Sequence, residues 1–303
     1  MDLSHFNQLI NSLTASYIRG RHLDILQSVR IEDFKDINNV LIYLHKGTLG
    51  YGKGKRNLEE GEVLFIPENR VVELRVGKKK RKVISSTNKG VFREKYFTKS
   101  NYNSANDSIS IIAFETKLFN SFSFFDTANI PPFVITKQPK LIRLVRELIR
   151  ERIAEEAGYR HCLELHIEKI IIEILRYIHK NELFETQLSN QRLYFNDSRL
   201  TKVFTYIQQN LEGDLSNRIL ADIANTSEEY IGHFFKRTTG INPQEFVENQ
   251  RLEKSVELLR STSKGISEIA EEVGYSDSPY FCRRFKIKYG LSAGKMRKLE
   301  DDS

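Results

Sequence analysis

Seven basic residues, Arg283, Arg284, Lys286, Lys288, Lys295, Arg297 and Lys298, lie in a stretch of this 303-residue chain that has no acid between Asp277 and Glu300. Cations at this density suit a partner made of phosphates, and a guanidinium fork can also bond guanine O6 and N7 together. The patch is local. Residues 196–303 carry 16 Lys and Arg against 17 Asp and Glu, whereas residues 1–195 carry 31 against 23, so the formal charge of +7 does not by itself locate a nucleic-acid site.

The other reactive residue types form no set. The histidines are His5, His22, His45, His161, His166, His179 and His233, and no two have the His-x-His spacing of a metal pair; His161 and His166, five apart, do not share a helical face. No GxSxG, GxxxxGK[ST] or GxGxxG element occurs, and Gly50, Gly52 and Gly54 lack the Lys-Ser/Thr ending and following helix of a phosphate loop, so they read as a hairpin. Cys162 and Cys282 lie 120 positions apart, which excludes a disulfide framework or zinc ribbon and fits a reducing compartment. No catalytic residue, cofactor or metal is therefore expected, and no enzymatic activity. The start, MDLSHFNQLINSL, has no cationic region followed by an apolar run, and no window approaches 18 uncharged apolar residues; the expectation is a cytoplasmic protein.

The chain length favours two domains, and 40% apolar residues with 19 Phe and 13 Tyr suffice for cores of ordinary size. Residues 37–136 hold short β-type runs, VLIYL (40–44), EVLFIP (62–67), VVELRV (71–76), SISIIAFE (108–115) and PFVIT (132–136), which predict a sandwich or small barrel. In KLIRLVRELIRERIAEE (140–156), Leu141, Leu144, Val145, Leu148 and Ile149 make the stripe of an amphipathic helix. A second helix, CLELHIEKIIIEILRYIHKN (162–181), has a wider apolar face formed by Leu163, Ile167, Ile170, Ile171, Ile174, Leu175 and Ile178. One flank of it is expected to pack on the β-domain; the other either meets a second copy of the chain or is buried in the monomer. Residues 183–197 lose the helical period and read as a linker, which divides the chain into domains at 1–182 and 198–303.

The C-terminal part contains a repeat. LADIANTSEEYIGHFFKRTTGINP (220–243) aligns with IAEEVGYSDSPYFCRRFKIKYGLSA (269–293), pairing Ala221 with Ala270, Asn225 with Gly274, Phe235 with Phe285, Lys236 with Lys286 and Gly240 with Gly290. The offset is 49 before the turn and 50 after it. Each copy has a short helix with a small Ala for close crossing, an Asn or Gly suited to a left-handed turn, and a second helix with large apolar residues on one face, which is a helix-turn-helix. In the second copy Ser276 or Asp277 can cap, Pro279 is admissible in the first turn, Phe281 and Phe285 bury, and Arg283 and Arg284 face out. Between the copies, PQEFVENQRLEKSVELLRS (243–261) reads as one helix with Leu252, Val256 and Leu259 on one side. Such a strut spans about 27 Å at 1.5 Å per residue. Two recognition helices mounted across it can sit about one DNA turn, ~34 Å, apart on one face of a duplex.

These segments, with HFFKRTTGINPQEFVENQRLEKSVELL and ISEIAEEVGYSDSPYFCRRFKIKYGLS, resemble the DNA-binding domain of the AraC/XylS family of bacterial transcription regulators over residues 198–299, about a third of the chain. Departures are Ala293 where the family usually has Pro, Ser255 for Ala, and Asn225 where Gly is frequent. The resemblance implies an α+β, two-domain protein: a cupin-like β-barrel with two following helices, then an all-α domain with two helix-turn-helix units. By position it implies base contacts at Glu229, Gly232 and His233 in copy one and at Ser278, Pro279, Tyr280 and Arg283 in copy two. Lys236, Arg237, Arg284, Lys286 and Lys288 are assigned to phosphates. His233 stands where a basic residue is frequent, so copy one has lost donors and copy two is expected to dominate specificity. Glu229 can accept from a cytosine amine or serve as a first-turn carboxylate.

The family further implies double-stranded DNA and RNA polymerase as partners, activation of transcription, a homodimer, and a small-molecule effector bound in the N-terminal barrel. LEEGEVLFIPENRVVELRV (58–76) resembles the middle of such a barrel. Tyr43, Tyr51, Phe65 and Phe114 are the candidates to line an effector cavity, or else simply fill the core. Leu163, Ile167, Ile170, Ile171, Ile174 and Ile178 are the candidates for dimerisation. Lys78, Lys79, Lys80, Arg81 and Lys82 form either a polyanion-binding run or a solvated hairpin tip. Two rival classes remain: a ligand-independent regulator whose N-terminal domain only dimerises or docks a partner, and a cupin-type enzyme fused to a regulator domain.

Overall fold

The computed structural model describes the chain except for residues 1–2, 53–55, 78–81, 85–95, 100–105, 119–121, 189–197, 240 and 302–303. Four of the five basic residues at 78–82, and most of the linker at 183–197, therefore lie outside the described residues. The chain divides into two compact units, residues 1–118 with 123–190 and residues 119–122 with 191–303.

The N-terminal unit is built on two β-sheets. After α1 (Leu3–Asn11), the first sheet runs in the order β12 (Phe133–Ile135), β6 (Val63–Ile66), β3 (Asn39–Lys46), β10 (Ser108–Leu118), β1 (Leu13–Ile25), β9 (Phe97–Lys99), with β11 (Phe122–Ser123) beside β10. The second runs β5 (Asn57–Leu58), β4 (Leu49–Tyr51), β7 (Val72–Val76), β2 (Val29–Phe34), β8 (Lys82–Ile84). Val40, Ile42 and Leu44 of β3 and Leu64 and Ile66 of β6 share a core with Val29 and Ile31 of β2 and Leu74 and Val76 of β7. Because side chains alternate along a strand, Leu41, Tyr43 and Phe65 project to the opposite face of the first sheet, yet they too are 0–1% exposed. Burial on both faces explains why β3 and β6 read as unbroken apolar runs.

The four aromatic candidates for a cavity therefore do not share a wall. Tyr51 packs at the edge of the core between the sheets. Tyr43, Phe65 and Phe114 lie on the other face of the first sheet, in solid packing: Phe65 meets Phe125 at 4.7 Å, Phe133 at 5.3 Å and Phe114 at 6.2 Å between ring centroids. The Tyr43 hydroxyl accepts from Arg146 Nη2 at 2.6 Å. The expectation of one effector cavity lined by all four is corrected by the period-two alternation of the strands that carry them.

Beyond α2 (Phe124–Thr127), the predicted helix pair is α3 (Pro139–Ala154) and α4 (Tyr159–Lys180). The stripe Leu141, Leu144, Val145, Leu148 and Ile149 is buried as the spacing requires. Helix α4 packs on α3 and on β1, and Leu163, Ile167, Ile170, Ile171, Ile174 and Ile178 are at most 3% exposed. The apolar width of α4 is used within the single chain, so these six residues offer no open surface to a second copy.

The C-terminal unit is helical: α5 (Ser198–Gln209), α6 (Asn217–Ile223), α7 (Glu228–Thr239), α8 (Pro243–Ser261), α9 (Ile266–Glu272), α10 (Ser278–Tyr289) and α11 (Ala293–Asp301). Among the described residues no helix is long and apolar enough to cross a membrane.

Candidate nucleic-acid interface

The repeat becomes two helix pairs of matching length. Helix α6 spans 217–223 and α9 spans 266–272, offset by 49; α7 spans 228–239 and α10 spans 278–289, offset by 50. The first helix of each pair ends in the same hydrogen bond, Thr226 N to Ala221 O at 3.0 Å and Tyr275 N to Ala270 O at 2.9 Å. Both turns need a left-handed residue, filled by Asn225 at φ 49° and Gly274 at φ 88°. The buried positions also correspond: Ala221 with Ala270, Ile231 with Phe281 and Phe235 with Phe285 are 0–2% exposed.

The strut α8 ties the two pairs together. Its N-terminus is capped by Asn242, whose side chain accepts from Glu245 N at 2.9 Å, and Pro243 occupies the first turn. Toward the first pair, Phe246 of α8 packs with Phe204 of α5 at 5.0 Å and Phe235 of α7 at 5.6 Å. Toward the second, Leu252, Leu258 and Leu259 join a core with Ile269, Ala270, Val273, Phe281 and Phe285. The second helix of each pair is thus packed against one shared helix.

The outward faces carry the polar groups. On α7, Glu229, His233 and Lys236 are exposed, and an added Cβ at Gly232 would meet nothing within 4 Å, so the surface there is open. Arg237 lies in α7, but its side chain is outside the described residues. On α10, Pro279, Tyr280, Arg283 and Lys286 are exposed; the Arg283 guanidinium sits 5.8 Å from the centre of the Tyr280 ring. Stacking of this kind restricts a long side chain while leaving its donors available. Ser278 is half-buried, with its Oγ 3.3 Å from Ser267 Oγ of α9. Ile287, 71% exposed on α10, was not singled out by sequence reasoning; a run of alternating basic and apolar residues gives no sign of which apolar one faces water.

Two of the residues assigned to phosphate have protein partners. Arg284 makes a two-pronged ion pair with Glu248 of α8, with Nε to Oε1 at 2.6 Å. Glu248 raises the proton affinity of the Arg284 guanidinium. Lys288 donates to Asn249 Oδ1 at 3.0 Å and lies 3.4 Å from Glu253. Both brace α10 against the strut. Among the described residues, no group of three His, Cys, Asp or Glu is placed to hold a metal ion.

Two helix-turn-helix pairs on a common strut define a double helix-turn-helix domain, and residues 220–299 match the family described as "Helix-turn-helix domain". Residues 220–299 are thus a helix-turn-helix domain of the AraC type, and the chain is similar to proteins named as helix-turn-helix transcriptional regulators. It is 37% identical over 113 residues to the uncharacterized HTH-type transcriptional regulator YfiF of Bacillus subtilis, covering 37% of this chain and 36% of that protein. It is 25% identical over 253 residues to an uncharacterized HTH-type transcriptional regulator of Haemophilus influenzae, covering 80% of this chain and 79% of that one. To the HTH-type transcriptional activator RhaS of an Enterobacter species it is 28% identical over 163 residues, covering 54% and 56%. The match to YfiF thus spans only about a third of that relative's own length.

Proposed function

We propose that the chain is a sequence-specific DNA-binding transcription regulator whose C-terminal unit fills two successive major grooves on one side of a duplex. The observation that carries the reading is the duplication: two helix pairs of matching length, each with its second helix turned outward, on one 19-residue strut. Arg283 reads guanine in the groove taken by α10, with Ser278, Pro279 and Tyr280 beside it; Glu229, Gly232 and His233 present the weaker surface of α7. Lys236, Arg237 and Lys286 meet phosphates, and Arg284 and Lys288 hold α10 to the strut instead.

The regulator acts as an activator that works with RNA polymerase, by analogy with the name of the RhaS relative. It pairs as a homodimer on repeated half-sites through a surface other than the buried face of α4. A small effector in the N-terminal unit shifts its DNA-binding state by binding one state more tightly than the other. Selection of bound fragments from a random duplex pool tests the reading. The expected result is two enriched elements with centres about 10–10.5 bp apart, and the absence of any enriched element would overturn it.

A further inference from the structure

In the N-terminal unit a cleft of ≈ 760 Å³ opens between β1 and the turn that joins α3 to α4. None of Tyr43, Tyr51, Phe65 or Phe114 lines it. Its size is in the range of cavities that hold small molecules. The strand beneath it is irregular for a local reason. A bulge between Tyr17 and Arg19 interrupts the pairing of β1 with β10 and turns Ile18 outward, 41% exposed. Gly20 follows, and a Cβ there would stand 2.9 Å from the Tyr17 hydroxyl and 3.6 Å from Ile149 Cδ1. A glycine inside a strand is destabilising unless close approach requires it, and here it seats the phenol at the cleft floor.

The lining is cationic. Arg19, Arg21, Lys99, Arg152 and Arg160 face only Glu155 and Glu164 as acids. Arg19 is paired with Asp36 and Arg152 with Glu155, whereas Arg21 and Lys99 have no ion-pair partner among the described residues. Glu164 is committed to the backbone, accepting from Tyr17 N at 2.8 Å. The Tyr17 hydroxyl is buried and has no hydrogen-bond acceptor among the described residues, Arg152 and the Gly20 backbone bearing on it only as donors. Burial raises its pKa, with Arg152 opposing the shift, so the phenol keeps its proton and is a donor in need of an acceptor. Ile153, 44% exposed on α3, adds apolar surface to the lining, as Ile18 does.

We propose that this cleft binds a small organic anion, its charged group held by Arg152 and the Tyr17 hydroxyl and its apolar body laid between Ile18 and Ile153. Arg152 keeps donors to spare beyond its pair with Glu155, because a guanidinium has five. The proposal deepens the effector control proposed above and rests on that reading for its regulatory consequence, while binding itself requires no DNA.

Fluorescence titration of the full chain with 8-anilinonaphthalene-1-sulfonate and with its uncharged parent, N-phenyl-1-naphthylamine, separates charge from apolar contact. The expected result is one sulfonate site per chain, at least about tenfold tighter than the neutral compound. Arg152→Gln should weaken the sulfonate about tenfold or more and leave the neutral compound within about twofold. Ile153→Glu, at an exposed position, should repel the sulfonate without unfolding the chain. Equal affinity for the two compounds, or undiminished sulfonate affinity in both variants, would overturn the proposal. DNA affinity measured on the same samples keeps the two readings apart: loss of DNA binding with intact sulfonate binding would count against the regulator reading and leave the cleft standing.

Discussion

Arg284 of α10 reaches across to Glu248 of α8 and donates Nε–H to Oε1 at 2.6 Å, with a second bond from Nη2 to Oε2, so the second recognition helix is fastened to the strut by a planar fork. Both partners are only partly exposed, 38% and 20% at the side chain, and the two-pronged geometry gives the pair more worth than a solvated ion pair. One of the two guanidinium groups that the sequence assigns to phosphate is thus a structural group in the fold.

Arg284→Ala should lower the stability of the C-terminal unit by about 1–2 kcal/mol, and a double-mutant cycle with Glu248→Gln should show positive coupling, as urea denaturation measures it. The salt slope of DNA binding should be unchanged. Lys286→Ala should instead leave stability intact and reduce that slope by about 1, the signature of one lost phosphate contact. A reduced slope for Arg284→Ala would return it to the phosphate set.

Gly274 and Asn225 occupy equivalent turns but differ in what stands beside them. A Cβ at Gly274 would lie 2.3 Å from the Leu211 carbonyl oxygen and 2.8 Å from Arg251 Cζ, while Asn225 is exposed. Arg251 is itself fixed, donating to Leu211 O and Gly213 O at 2.9 Å each. Gly274→Ala should therefore cost about 2–4 kcal/mol, combining left-handed strain with overpacking, whereas Asn225→Gly should stay within about 1 kcal/mol. Chemical denaturation of both variants checks the asymmetry.

Glu68 is 8% exposed and its Oε1 has no hydrogen-bond partner among the described residues. Burial, with Asp126 and Glu115 adding repulsion against the weaker pull of Lys117 and Arg70, pushes its carboxyl up to about 7. The folded state then holds a proton that the unfolded chain releases near 4.5, so this group's contribution falls as pH rises from about 4.5 to 7 and the penalty is complete above that. His45 runs the other way: burial, His22 and Arg146 lower it to about 3, so its contribution is lost as pH falls below the ordinary histidine value. Because the two oppose each other, the variant comparison is the clean test. Glu68→Gln should be about 1–3 kcal/mol more stable than the parent at pH 8 and little different at pH 4.5. Equal stability at pH 8 would show that the carboxylate is solvated there.

The C-terminal unit was legible because its signals are local. Asn242 and Pro243 at the strut start, the left-handed turn residues, and Phe281 and Phe285 four apart each act within one or two helical turns. Strand β3 was legible for the same reason, its apolar run being continuous. Strand β1 was not read at all: LTASYIRGRHLDI has no clean alternation, a bulge, and Gly20 and two arginines at its middle. Pairing with β10 from Leu13↔Leu118 to Asp24↔Ser108 holds it, a partner about 100 residues away. The roles of Arg284 and Lys288 were obscured likewise, since Glu248 and Asn249 lie 36 and 39 positions upstream and only the helix crossing brings them together. Tyr43, Phe65 and Phe114 could be recognised as strand residues, but which face each turned to depended on what covered the sheet.

Arg283 and His233 test the division of labour between the helix pairs. Arg283→Ala should lose about 1–3 kcal/mol of binding and relax base preference in one element, because the lost fork discriminated guanine. His233→Ala should change affinity less and leave that element's preference intact. Competitive binding with single-base variants of the selected duplex reads both.

Simultaneous entry of both outward-facing helices on one face of the duplex makes binding depend on the spacing of the two elements. Inserting 5 bp between the two elements rotates one to the far side by about half a turn, and a rod-mounted pair cannot follow it. Affinity is predicted to fall at least about tenfold, to that of a duplex carrying one element alone. Undiminished affinity for the duplex with the 5 bp insertion would show that the two helix pairs do not enter the duplex together.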